Sequence, residues 1–91
     1  MKRWIGRAYA YNGEATADVE EVTDLGGGLI ERTDGTRRHL FSFERLFDTR
    51  EAAEMAAAAG IEAIAAKFAA RAAELREAAA SRVAASQVVS V

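Results

Sequence analysis

The sequence predicts an α+β fold: a small antiparallel β-sheet of two hairpins, about four strands, followed by a short helix and a long alanine-rich helix bent at Gly60. Three observations predict it. Asn12-Gly13 and Asp34-Gly35 each sit between strand-like runs, and both pairs suit a two-residue hairpin turn. Composition then changes near residue 48: six of the seven glycines and three of the four phenylalanines precede it, while 18 of the 34 residues from Ala52 to Ala85 are alanine. Alanine has the highest helix propensity, and the Glu, Arg and Leu between the alanines are also good helix formers.

The 91 residues suit one small domain, read as a sheet region (1–47), a helical part (48–86) and a tail (87–91). With no cysteine, disulfides and thiolate chemistry are excluded. Twelve basic against fourteen acidic residues give a net charge of −2, which argues against a large non-specific nucleic-acid surface. No apolar run approaches the ~18 residues of a membrane span, and the start of the chain lacks the pattern of a secretory signal. A cytoplasmic location with no membrane partner follows as the expectation.

In the first hairpin, a type I′ turn at Asn12-Gly13 sets Tyr11 opposite Glu14, Tyr9 opposite Thr16 and Arg7 opposite Asp18. Trp4, Gly6, Ala8 and Ala10 then share a face with Ala15, Ala17 and Val19. Side chains this small invite close approach by another element, and an alanine-rich helix fits. In the second hairpin, a two-residue turn sets Arg32 opposite Arg37, Glu31 opposite Arg38, Ile30 opposite His39 and Leu29 opposite Leu40. The Arg32–Arg37 pairing is unfavourable and leaves room for a bulge or a longer turn. Gly26-Gly27-Gly28 joins the hairpins; it lacks the spacing of a phosphate loop.

Phe41, Phe43, Leu46 and Phe47 read as the hydrophobic plug of the sheet, with a turn of tight helix from Phe43 to Phe47. Asp48 is the first choice of helix cap, closing a capping box with Glu51, and Thr49 the second. A short helix over 49–59 is the first choice; one helix continuing through Gly60 is the alternative, because glycine inside a helix costs only about 1 kcal/mol. Beyond Gly60, Ile61, Phe68 and Leu75 recur at sevens and, with Ile64, form one stripe of a helix over 61–86. That stripe is longer than a small sheet can cover. It predicts a homo-oligomer, first a dimer, whose interface holds Ile61, Ile64, Phe68 and Leu75. The uncharged tail reads as a frayed end, or as a strand that docks on a neighbour.

Little points to chemistry. His39 is the only histidine and reads as a half-buried structural residue. Asp18, Glu20, Glu21 and Asp24 read as solubilising charge, with Asp18 and Glu20 on one strand face. Ser81, Ser86 and Ser90 have no base placed near them. No catalytic, metal or cofactor site is expected, hence no enzyme. Two functional readings follow. The first is a self-associating interaction module with a protein partner. The second is a nucleic-acid accessory protein that grips phosphate with Arg32, Arg37 and Arg38, with Trp4, Tyr9 and Tyr11 available for stacking on bases.

Overall fold

The computed structural model describes residues 1–89, with side chains as far as Ser86. Five strands precede one helix: β1 (Lys2–Tyr11), β2 (Glu14–Gly26), β3 (Leu29–Arg32), β4 (Arg37–His39), β5 (Leu46–Phe47) and α1 (Arg50–Val89). The strands form one antiparallel sheet in the order β4-β3-β2-β1-β5. The molecule measures 72 × 23 × 20 Å, because α1 outruns the sheet on which it begins. Among the described residues no helix is long and apolar enough to cross a membrane.

The first hairpin has the register its turn requires. Asn12 (φ 51°) and Gly13 (φ 79°) both lie in the left-handed region, as a type I′ turn demands. Tyr11 faces Glu14, Tyr9 faces Thr16 and Arg7 faces Asp18. The second hairpin differs from the expected pairing by one residue: Glu31 faces Arg37, Ile30 faces Arg38 and Leu29 faces His39. Its loop is longer than two residues. The Arg32 N–H donates to the Thr36 carbonyl (2.8 Å) and the Gly35 N–H to the Arg32 carbonyl (3.0 Å), with Gly35 at φ 86°. Asp34 Oδ1 accepts from the Thr36 N–H (2.9 Å) and hydroxyl (2.6 Å), which stabilises this wider turn.

The one-residue shift exchanges the faces of β4. His39, expected to be half-buried beside Ile30, is exposed, and Arg38 takes its place on the Ile30 face. Ile5, Val22 and Ile30 form the buried cluster, with Leu40 and Leu46 against it. Strand alternation puts this cluster on the face opposite Gly6 and Ala8. Residues 40–45 link β4 at one edge to β5 at the other. The tight helix expected at 43–47 is replaced by a turn at 42–43 followed by β5. Phe41 and Phe43 do not plug the sheet: they stack on each other at 5.4 Å and remain 49% and 69% exposed.

The helical half is one uninterrupted helix. Neither the short helix at 49–59 nor the bend at Gly60 occurs, and the backbone expected as a tail from residue 87 continues the helix to Val89. The last part of that tail, Ser90 and Val91, lies outside the described residues. Thr49, the second choice, caps the helix: its Oγ1 accepts from the Ala52 N–H (3.1 Å). Asp48 instead faces Arg3 (3.3 Å). Ala53 and Ala57 are buried, and Ala53, Ala57, Gly60 and Ile64 fall within one narrow arc at 3.6 residues per turn. The sheet-facing stripe therefore passes straight through Gly60, carried there by small residues.

Gly6 and Gly60 set how close the two layers come. A Cβ on Gly6 would collide with the carbonyl oxygen of Ala53, and one on Gly60 would lie 2.6 Å from the Ala8 Cβ. The helix thus runs directly over β1, backbone almost on backbone. Glycine at Gly60 allows that contact rather than a change of direction.

Candidate functional site

Alpha-helical rise gives α1 a length of about 60 Å, and the sheet covers only its first part. Ile61 and Ile64 are half-buried next to the sheet, whereas from Ala65 to Ser86 every residue except Ala72 is exposed. The four residues expected at an oligomer interface are therefore divided. Ile64 lines a groove with Gly6, Ala8 and Gly60 of the same chain. Phe68 and Leu75, 40% and 54% exposed, continue the sheet-facing stripe beyond the sheet. Val83 is also exposed on this projecting part, as are Ser81 and Ser86; Ser90 lies outside the described residues.

The three arginines of the second hairpin each meet a carboxylate. Arg32 Nε lies 2.7 Å from Glu20 and Arg37 Nε lies 2.8 Å from Glu31. Arg38 grips Glu44 with both terminal nitrogens, at 2.6 and 2.9 Å. The hydrogen bond to Glu20 pushes the Arg32 pKa up, and the bond to Glu44 does the same for Arg38. Asp34 is held below the usual carboxylate range, first by the Thr36 hydroxyl and then by the Thr36 N–H. The expected acidic cluster is spread among cations: Asp18 faces Arg7 (3.7 Å) and Asp24 faces Arg3 (3.6 Å). Among the described residues no group of three or more His, Asp or Glu side chains could hold a metal ion.

The aromatic candidates for base stacking are separated by the sheet. Trp4 lies on the helix side with Arg50 over its ring at 5.5 Å. Tyr9 lies on the other face with Arg7 over its ring at 5.8 Å. Tyr11 is exposed near the hairpin tip. They do not form one continuous platform.

Sequence reasoning missed Glu44, whose side chain is fully enclosed. It accepts from the Phe41 N–H (2.9 Å) and lies 3.7 Å from Arg7 as well as bonding Arg38. Its own N–H donates to the Phe41 carbonyl (2.9 Å), closing the turn. Arg38, followed by the Phe41 N–H, holds the carboxyl below the usual glutamate range despite its burial. The available signal was a single carboxylate within an otherwise aromatic run, Phe-Ser-Phe-Glu. Comparison with protein-family models, curated proteins and solved structures found no match.

Proposed function

We propose that this chain is a non-enzymatic, self-associating interaction module, with a dimer as the first choice and another protein as its eventual partner. The observation that carries this reading is the exposed apolar face of α1 beyond the sheet, with Phe68 and Leu75 on it and Ala72 and Ala79 alongside. Alanines flanking a Phe/Leu stripe permit close approach of a second helix. Apolar stripes of this kind on soluble proteins mark interaction surfaces. Ile61 and Ile64 border the same interface while resting on the sheet, so the stripe of one copy continues into a rigid base.

The second reading, phosphate binding by Arg32, Arg37 and Arg38, is less favoured. Each of these guanidiniums would have to leave or share a carboxylate at 2.8 Å or less. The deciding experiment is solution mass by light scattering over a hundredfold concentration range, for the native chain and for Phe68→Glu. The proposal expects a native mass at least twice 9.8 kDa and a variant that is monomeric with unchanged circular dichroism. A native monomer throughout would overturn it.

A further inference from the structure

The sheet has one long open edge. β1 pairs with β2 over its whole length, but on its other side only Trp4 and Ile5 are paired, with Phe47 and Leu46. On that side, among the described residues, no strand lies beside residues 6–11. The opposite edge of the sheet, β4, has only three residues. In a two-residue hairpin the residues flanking the turn exchange both hydrogen bonds, and alternate pairs do so thereafter. Tyr11, Tyr9 and Arg7 consequently bond β2, while the peptide groups of Gly6, Ala8 and Ala10 point outward. Exposed donors and acceptors of this kind are a template for another strand.

The edge is open because β5 begins only at Leu46. A strand continuing β5 backward along β1 would bring residues 44 and 45 opposite Arg7 and Gly6. The chain instead turns across the sheet, where Glu44 meets Arg38, so the place of a longer β5 is left as a groove of about 330 Å³. The helix forms one wall through Ala56, Gly60 and Ile64; Phe43, Arg45 and Phe47 form another, and β1 lies between them. Among the described residues Arg45 lies in no ion pair.

We propose that the Gly6–Tyr11 edge of β1 accepts an extended acidic–apolar segment of another protein as an added strand. Its backbone would bond Gly6, Ala8 and Ala10, and a carboxylate would meet Arg45. Main-chain bonds of this type supply affinity, and the flanking side chains select the sequence. A second copy of this chain is a poor occupant. Antiparallel pairing of two β1 strands places both helices on the same face, and each runs directly over its own β1, as Gly6 and Gly60 require. Neighbouring strands are about 4.8 Å apart, whereas packed helices need about 8–10 Å between axes. The groove therefore admits a segment that carries no helix of its own. The groove meets the helix stripe at Ile64, but strand addition uses neither Phe68 nor Leu75, so the Phe68→Glu and Arg45→Glu variants let the two proposals fail separately.

The test uses the full chain and three capped six-residue peptides: alternating valine and glutamate, alternating valine and lysine, and the glutamate peptide N-methylated at alternate residues. Binding is followed by fluorescence anisotropy and by the amide NMR signals of the protein. The proposal expects the glutamate peptide to bind at least tenfold more tightly than the lysine peptide. It expects N-methylation of the alternate amides that would bond β1 to weaken binding of the glutamate peptide at least about tenfold. Amide shifts should centre on Gly6, Ala8 and Ala10, and Arg45→Glu should reverse the charge preference. Equal binding of the two charged peptides, no binding at millimolar concentration, or shifts centred elsewhere would overturn it. Edge shifts that grow with protein concentration alone would also overturn it, by identifying a second copy as the occupant.

Discussion

Arg38 and Glu44 form a two-pronged ion pair, at 2.6 and 2.9 Å, beneath the segment that crosses from one edge of the sheet to the other. The glutamate is fully enclosed while the arginine keeps a quarter of its side chain exposed. Removing one member of a buried pair typically costs about 3–5 kcal/mol. Because Arg38 retains contact with water, the lower end applies, and Glu44→Ala should cost about 3 kcal/mol in urea unfolding.

The same pair gives the protein an acid limit. The Glu44 carboxyl is held below its ordinary range by Arg38, so the unfolded chain takes up this proton at higher pH than the folded one. Its stabilising contribution is complete above the unfolded value of about 4.3 and is lost as pH falls through the lower folded value. The stability gap between the native chain and Glu44→Gln should therefore be constant at neutral pH and shrink below about pH 4. Urea titrations at a series of pH values check this. A gap that widens in acid would show that Arg38 does not govern the carboxylate.

Contact between helix and sheet depends on two glycines with different tolerances. Gly6→Ala would push a Cβ against the main chain of Ala53, and overpacking of this kind costs about 1–3 kcal/mol. At Gly60 the obstacle is the Ala8 Cβ, and alanine also gains about 1 kcal/mol of helix propensity. Gly60→Ala should accordingly be the milder change, with a net loss of about 1 kcal/mol. Combining it with Ala8→Gly removes the obstructing atom and leaves the added Cβ 3.8 Å from the Ala8 Cα, an ordinary contact. A double-mutant cycle should give a favourable coupling of at least about 1 kcal/mol; simple additivity would contradict the contact.

Local chemistry made the first hairpin legible: one Asn-Gly pair determines turn, register and faces together. The face of small residues also pointed correctly to a helix lying against it. What the sequence hid was information carried by alanine. Ala53 and Ala57 are the buried residues at the start of α1, but in a helix where alanine fills every side they leave no periodic trace. Only Ile61, Ile64, Phe68 and Leu75 stood out, and Gly60 appeared as a boundary when it is a contact. Glu44 was hidden for another reason: its partners Arg38 and Arg7 become neighbours only after the crossing segment folds over the sheet.

The second hairpin shows how little separates two registers. Lengthening its turn by one residue places His39 in solvent and Arg38 over the core face, where Glu44 can reach it. His39→Ala should then change stability by less than about 0.5 kcal/mol, as expected for an exposed site. A loss above about 1.5 kcal/mol would favour the shorter turn, in which the histidine lies beside Ile30.

Salt separates the two functional readings. Helix pairing through Phe68 and Leu75 buries apolar surface, so its dissociation constant should change less than about twofold between 0.05 and 0.5 M salt. Phosphate binding by Arg32, Arg37 and Arg38 would release counterions. Three contacts at a slope of about −0.9 each would weaken binding about 500-fold over the same range. Leu75→Glu distinguishes them from the other side. It lies beyond the part of α1 that touches the sheet, so it should leave urea unfolding of the monomer unchanged and weaken self-association at least about tenfold through loss of apolar burial. Self-association that survives both Phe68→Glu and Leu75→Glu would remove the helix stripe as its cause.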